Sequence, residues 1–300
     1  MRRQQGKPGV QWAKGVCMQN TFPRTTVGGV RLPRMLIGTN WILGYSHTTV
    51  SADAFIKNKH STVESISRVL CAYLEYGVDA VLMPLCDSSG VMMRAIKNAE
   101  DMTGKPITLL VTPILNVDDS AGARKEAGQA INDCKKIGGT FCLPHHSSIE
   151  QLVYKNRQSI DRLPDYLSMI RDNGMIPGLS AHMPEMVVYS DLNGYDVETY
   201  VQIYNCMGFL MQIEVESVHN IIWNAKKPVI IIKSMAAGRA SPFVGVTFAY
   251  NTIREQDMVA IGAFTEDEVH EDIEIAMAAM EKRRPVTEGR SSPNKTSIMM

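Results

Sequence analysis

The chain has 300 residues, of which 45% are hydrophobic, and its 31 basic side chains balance its 31 acidic side chains. A balanced charge provides no field that would attract nucleic acid, an anionic membrane or an acidic partner, so the composition favours a protein that binds a small molecule. The sequence shows no secretory signal and no run of the roughly 18 apolar residues that a membrane span needs, and its six cysteines lack metal-binding spacing, so we expect a cytoplasmic protein with reduced thiols.

Short β-rich runs alternate with amphipathic helical stretches, which is the pattern of parallel βα units. Eight runs predict strands, at residues 35–42, 80–85, 107–113, 140–145, 176–182, 200–205, 229–235 and 258–263. Eight such units fit a single α/β domain, the (β/α)8 TIM barrel, for which about 250 residues suffice. An open doubly wound sheet is the competing architecture, because element order alone does not prove that the sheet closes.

The helix ends and the domain limits also follow from the sequence. Residues 62–76 carry apolar side chains at helical spacing, and the last helix begins at Thr265, whose hydroxyl can cap the Glu268 amide while the Glu268 carboxylate reaches back. We expect the barrel domain at residues 25–282, with a flexible N-terminal segment at 1–24 and a flexible C-terminal tail at 283–300. Residues 43–61 form a long loop that is either a lid or an ordinary surface excursion.

A TIM barrel brings the carboxyl ends of its strands together at one mouth, so residues distant in sequence can form a site. Among the residues at these predicted ends we expect catalytic roles for His145, His182 and Lys233, and substrate binding by Asn40, Asp87, Asn205 and Arg239. Asp87 also fits a helix cap, which is the favoured role. Arg239 follows strand seven, where barrels often bind phosphate, and a guanidinium grips an oxyanion well.

His145 and His182 close adjacent predicted strands, so their imidazoles should lie near one another. Such a pair suits a divalent metal ion with Glu185 as the third ligand. Alternative third ligands are Glu214, His47 and His60. The other interpretation is that one imidazole hydrogen-bonds locally and the other is exposed. His146 should point away from His145, so only one of these two is expected to face the mouth.

Lys233 ends an apolar run, which is an unusual place for a charge unless the side chain faces the mouth. Desolvation there would lower its pKa and make it a nucleophile or a base. It could equally anchor a substrate carboxylate or phosphate, or form an ion pair with a neighbouring strand.

Residues 27–44, VGGVRLPRMLIGTNWILG, resemble the opening of aldo-keto reductases, in which a hairpin closes the barrel bottom before the first strand. Similar landmarks follow in the same order over about residues 25–282. They are GVDAV before strand two, a histidine closing strand four, NGMIPGLSAH, YVQIYN, KPVIIIKSMAAGR and DMVAIGAFTEDEV. The resemblance implies a TIM barrel with an N-terminal hairpin, and NADPH-dependent reduction of a carbonyl.

The catalytic groups that the resemblance implies are largely missing. That family uses an Asp and a Tyr near the end of strand two, a Lys ending strand three and a His ending strand four, and the Tyr donates a proton while NADPH delivers hydride. Here the Asp position is Leu82, the Tyr position falls near Asp87, and strand three ends without a lysine. Only His145 remains of the four.

The loop that would bind the cofactor also departs from the aldo-keto reductase pattern. The loop after strand eight, which in that family holds the adenosine 2'-phosphate, carries Glu266, Asp267 and Glu268, and carboxylates repel a phosphate. No GxGxxG motif indicates a Rossmann site. These departures predict that reductase chemistry has been lost.

The leading prediction is an enzyme that acts on a small polar carbonyl or carboxylate compound by acid-base or metal-assisted chemistry of the lyase or isomerase type. His145 or His182 would act as the acid-base or metal-ligand group, and Lys233 and Arg239 would hold or activate the substrate. The alternatives are an NADP-dependent aldo-keto reductase-like oxidoreductase with replacement catalytic groups, and a catalytically inert barrel that serves as a binding subunit. A divalent metal is expected in preference to NADP. The sequence is compatible with a homo-oligomer and does not decide the oligomeric state.

Overall fold

The computed structural model describes residues 21–287, which form strands and helices in alternation. The strands are β1 (Arg24–Val27), β2 (Val30–Pro33), β3 (Met35–Gly38), β4 (Ala80–Pro84), β5 (Thr108–Thr112), β6 (Phe141–Cys142), β7 (Val153–Tyr154), β8 (Ser159–Ile160), β9 (Ile176–Pro177), β10 (Leu179–Ser180), β11 (Tyr200–Ile203), β12 (Val229–Ile232) and β13 (Met258–Ile261). The helices are α1 (Asn40–Leu43), α2 (Val50–Lys59), α3 (Val63–Glu75), α4 (Val91–Thr103), α5 (Ala121–Lys136), α6 (His146–Ile149), α7 (Leu163–Asp172), α8 (Glu185–Asn193), α9 (Val215–Asn224), α10 (Pro242–Thr252) and α11 (Glu266–Met280).

Nine parallel strand segments form a closed ring in the order β10-β11-β12-β13-β3-β4-β5-β6-β9. The segments β9 and β10 are the two halves of the fifth strand, and they pair with β6 and β11 respectively. Gly178 lies between them, where a Cβ atom would be 2.9 Å from the carbonyl oxygen of Thr199. The predicted (β/α)8 barrel is therefore confirmed, and the open doubly wound sheet is excluded because the ring closes through this strand.

All eight predicted strands are present, but each ends earlier than predicted. The first was expected to reach residue 42, whereas β3 ends at Gly38 and the next residues form α1. The apolar pattern persists because Ile42 is buried by a helical turn, at 2% exposure, instead of by the sheet. Burial alone does not distinguish these two conformations.

The hairpin of β1 and β2 closes the bottom of the barrel, as the resemblance implies. Its two-residue turn consists of Gly28 and Gly29, whose φ angles of 53° and 84° suit a tight hairpin turn. Val27 and Leu32 of the hairpin are buried against side chains of the barrel interior, including Phe141. The barrel is thus filled below the strand ends, and open space is confined to the mouth.

Helices pack around the strands, and their predicted caps form. The Thr62 hydroxyl accepts from the backbone N–H of Ser65 at the start of α3, and the Thr265 hydroxyl accepts from Glu268 N at the start of α11. Within the part of the chain that the structure describes, no helix is both long enough and apolar enough to cross a membrane.

The predicted terminal segments fall mostly on residues 1–20 and 288–300, which lie outside the described residues. Between them and the barrel, Phe22 is buried and its backbone N–H donates to the carbonyl of Tyr76 at 2.8 Å. The core contacts thus begin two residues before β1. The long predicted loop at 43–61 consists largely of α2.

Candidate functional site

A cavity of about 880 Å³ opens at the carboxyl ends of the barrel strands. Four of the predicted site residues line it: Asn40, His145, His182 and Lys233. Other side chains that line it are Trp41, Tyr45, His47, Leu82, Thr112, His146, Glu268, Glu271 and Asp272. The volume is within the range typical of small-molecule sites.

Three imidazoles form one cluster in this cavity. The ring centroids of His145 and His146 are 4.2 Å apart, and those of His146 and His182 are 3.6 Å apart with nearly parallel planes. The prediction that only one of His145 and His146 faces the mouth is wrong, because the turn of α6 brings both rings to the cavity. Burial, with a contribution from His146, lowers the pKa of His182 to about 3 and that of His145 to about 4, so both rings are neutral at neutral pH.

A local hydrogen bond favours one tautomer of His145, and the Ser147 hydroxyl, 2.8 Å from Nδ1, can donate to the same atom. Its Nδ1 atom accepts from the backbone N–H of Ser147 at the start of α6. A neutral imidazole that accepts at Nδ1 carries its proton on Nε2. His145 therefore offers an N–H donor at the mouth.

Glu150 supports this cluster and was not among the predicted site residues. One of its carboxylate oxygens accepts from the backbone N–H groups of His182 and Met183, at 2.6 and 2.8 Å. The other lies 3.6 Å from Nδ1 of His146. The four-residue spacing of His146 and Glu150 in HHSSIE is the signal that could have identified the pair.

Lys233 enters the cavity from the end of β12 with a left-handed backbone, at a φ of 59°. Its Nζ atom lies 3.2 Å from Nε2 of His47, which is also 3.2 Å from the amide nitrogen of Asn40. Burial lowers the pKa of Lys233, and burial together with the Lys233 charge lowers the pKa of His47. Across residues 21–287 no carboxylate forms a salt bridge with Lys233, so the ion-pair interpretation of this lysine is wrong.

Three predicted substrate-binding residues do not line the cavity. The Asn205 amide closes its own loop, because it accepts from the backbone N–H of Phe209 and donates to the carbonyl of the same residue. The Arg239 guanidinium lies 4.1 Å from the ring centroid of Phe209, outside the mouth. Asp87 accepts from the backbone and hydroxyl of Ser89 in an exposed turn, and Gly90 stands at the cap position of α4.

The predicted metal centre of His145, His182 and Glu185 is not supported. Glu185 begins α8 outside the cavity, and its carboxylate binds Lys155 at 3.1 Å. Of the alternative third ligands, His60 contacts the carbonyl of Phe264. In the described part of the chain, no three His, Cys, Asp or Glu side chains are arranged to hold a metal ion.

One side of the cavity is acidic. Glu268, Glu271 and Asp272, which we call the acid wall, line it from the first half of α11. Glu268 reaches back as predicted, but it accepts from the backbone N–H of Phe264 at 2.6 Å, one residue before the Thr265 N–H that a capping box uses. Glu266 in the same helix does not line the cavity and pairs with Arg68 at 2.9 Å.

Comparison with solved structures identifies the architecture. The chain is similar to a putative aldo-keto reductase from Pseudomonas aeruginosa, with 12% identity, a TM-score of 0.63, and coverage of 90% of this chain and 100% of that one. It is similar to an aldo-keto reductase from Bacillus halodurans, with 12% identity, a TM-score of 0.57, and coverage of 90% and 99%. An aldo-keto reductase from Klebsiella pneumoniae in complex with NADPH matches with 12% identity, a TM-score of 0.57, and coverage of 88% and 92%. No protein-family profile and no curated protein sequence matches the chain.

The chain therefore has the fold of an aldo-keto reductase, in a divergent form. Leu82, which the resemblance puts at the position of the family's catalytic Asp, lines the cavity, as does Thr112 at the end of the third barrel strand, and Asp87 lies in its exposed turn. His145 alone of the four expected groups lies at the mouth. The predicted lyase or isomerase chemistry is contradicted, because the matching structures are aldo-keto reductases and related dehydrogenases.

Proposed function

We propose that the protein is an oxidoreductase that reduces a small polar carbonyl compound with a nicotinamide dinucleotide. The observation that carries the proposal is the position of Lys233, a half-buried ammonium in the mouth of an aldo-keto reductase fold, without a carboxylate partner among the described residues. Carbonyl reduction requires a proton donor, and the family's Tyr and Lys are not present. Lys233 supplies that donor from a different strand.

The groups that line the cavity support a dinucleotide. They include the imidazole cluster, the loop between β12 and α10, the acid wall, and Ser241 and Pro242 at the start of α10. The positive end of the helix dipole attracts phosphate oxygens, and the Ser241 hydroxyl, which accepts from the Val244 N–H, is the polar side chain there, since Pro242 has no backbone N–H. The start of α10 would hold the pyrophosphate, and the bound nicotinamide would supply the hydride.

The chain's own groups then handle the carbonyl oxygen. His145 donates from Nε2, and the Lys233 ammonium donates from Nζ. Desolvation makes this ammonium a stronger acid than an exposed lysine, so it can pass a proton to the oxygen as negative charge develops there. Neutral His47 and the Asn40 amide keep the Lys233 side chain in position, and solvent at the open mouth returns the proton.

The test is a nucleotide titration followed by turnover. Trp41 lines the cavity, so its fluorescence should change as NADH or NADPH binds. Loss of nucleotide absorbance with a panel of small aldehydes and ketones should then reveal a substrate. Failure of both nucleotides to bind would overturn the proposal, and binding without turnover of any carbonyl would favour the inert barrel.

A further inference from the structure

Lys233 carries an amine that the proposed reduction uses only in its protonated form. The side chain is half-buried where it lines the cavity, and burial lowers its pKa from 10.5. At a given pH, a larger share of this amine is therefore uncharged than for a lysine in water. An uncharged amine is a nucleophile towards a carbonyl carbon, and this one lies in the cavity that would hold a carbonyl compound.

His47 orients this amine. Its Nε2 atom lies 3.2 Å from Nζ of Lys233 and 3.2 Å from the amide nitrogen of Asn40. Both neighbours are donors, and burial lowers the pKa of His47, so the neutral ring accepts at Nε2 and carries its proton on Nδ1. One N–H of the Lys233 amine thus points at His47. The same contact places a proton acceptor beside the nitrogen that would attack.

The other ionisable groups of the cavity do not hold a proton on Lys233 by an ion pair. Its charge lowers the pKa of His145 and His182, whose values of about 4 and 3 leave both rings neutral at neutral pH. The Glu150 carboxylate that supports this imidazole cluster accepts from the backbone N–H groups of His182 and Met183. The carboxyl groups of the acid wall line the same cavity, but within residues 21–287 none forms a salt bridge with Lys233.

We propose that Lys233 also captures small aldehydes and ketones covalently, as a reversible imine. Nζ bonds to the carbonyl carbon while the electrons of the C=O double bond move to oxygen, and the nitrogen passes a proton through Nε2 of His47 to that oxygen. The second proton of the nitrogen follows the same route, the hydroxyl group leaves as water, and the nitrogen lone pair forms the C=N bond. The products are one imine and one water molecule. The step needs no nucleotide, so it stands or fails independently of the proposed reduction.

The experiment uses the full chain and propanal, without nucleotide. Samples taken over time are quenched with sodium borohydride, which reduces an imine to a stable secondary amine and destroys the remaining aldehyde, and peptide mass mapping then locates each propyl group. We expect Lys233 to be labelled about tenfold faster or more than Lys125, which is exposed on α5 outside the cavity, because His47 assists the proton transfers. Labelling of Lys233 should increase with pH, since only the uncharged amine attacks, with a midpoint below 10.5.

Variants locate the reaction. Lys233→Met should remove the fast label, and Lys125→Met, the matched control, should leave it unchanged. His47→Phe keeps a ring but has no acceptor, so it should slow the labelling of Lys233 by about tenfold or more. If His47→Phe lowers the melting temperature, His47→Gln decides in its place.

The outcomes separate this inference from the proposed function. Equal labelling of Lys233 and Lys125 in the wild type overturns the capture, whatever a nucleotide titration shows. Labelling of Lys233 that stays fast in the folded His47 variant contradicts the proton route. Fast labelling of Lys233 in a chain that binds neither NADH nor NADPH overturns the proposed reduction and leaves the capture standing.

Discussion

The Nζ atom of Lys233 lies 3.2 Å from Nε2 of His47, and this contact joins the end of the seventh strand to the loop between α1 and α2, which follows the first strand. Because burial lowers the pKa of His47, its ring is neutral and can accept a hydrogen bond from the ammonium. The contact holds Lys233 without neutralising its charge. A carboxylate in the same place would hold it more tightly and make it a weaker acid.

Replacement of Lys233 tests its role directly. Lys233→Met should lower kcat by about a hundredfold or more, which is the usual contribution of a general acid, while nucleotide binding changes little. Lys155→Met is the control, because Lys155 is exposed and pairs with Glu185 away from the cavity. Steady-state kinetics and a fluorescence titration on each variant provide the measurement, and an unchanged kcat for Lys233→Met would sink the assignment.

The pH dependence follows from the direction of the Lys233 shift. Its pKa is lowered from 10.5, and the proposed acid works only when protonated, so kcat/KM should fall as pH rises through a value below 10.5. Lys233→Arg keeps its charge at all accessible pH values, so it should lose this alkaline limb as well as most of the rate. A wild-type profile without an alkaline limb would contradict the role of Lys233.

Stability towards acid should depend on the imidazole cluster. The pKa of His182 falls from 6.5 to about 3 in the folded state, so the unfolded chain binds more protons between these values. The free energy of unfolding should therefore rise with pH through this window and level off above it. Urea titrations at several pH values should show a weaker rise for His182→Gln than for the wild type. His219→Gln serves as the control outside the cavity. If the unfolding free energy rises equally with pH in the two variants, His182 is not the origin of the pH dependence.

Closure of the barrel should depend on Gly178. Its added Cβ would lie 2.9 Å from the Thr199 carbonyl oxygen and 3.0 Å from the Leu143 side chain. Gly178→Ala should therefore destabilise the protein by about 1–3 kcal/mol, as overpacking does. Gly128→Ala is the opposite case, because Gly128 lies within α5 with no atom within 4 Å of the added Cβ, and it should stabilise by up to about 1 kcal/mol. Chemical denaturation of both variants measures the difference, and a neutral Gly178→Ala would show that the fifth strand adjusts.

The number of strands and their order could be predicted because each strand alternates with a helix of clear periodicity. The starts of α3 and α11 could be predicted because Thr62 and Thr265 carry local capping signals. These features depend on neighbours in sequence. The hairpin followed from a resemblance that included its two glycines.

The site was harder to predict because the direction of a side chain depends on where its strand leaves the sheet. Asn205 and Arg239 follow strand ends, as Lys233 does, but Asn205 closes its loop and Arg239 packs on Phe209. His146 reaches the cavity because the chain turns into α6 directly after His145. The sequence displays no period that marks these turns. Of the acid wall, the sequence pointed only to Glu268, as one of three carboxylates that repel phosphate.

The closed bottom of the barrel also affects the order of events in a catalytic cycle. Val27 and Leu32 block the axis of the barrel, so ligands in the cavity must exchange through the mouth. The acid wall and the start of α10 lie along one side of that mouth, and the carbonyl site lies beside Lys233. A molecule that occupies the mouth therefore traps whatever lies beneath it. Product-inhibition kinetics should accordingly show a compulsory order of product release.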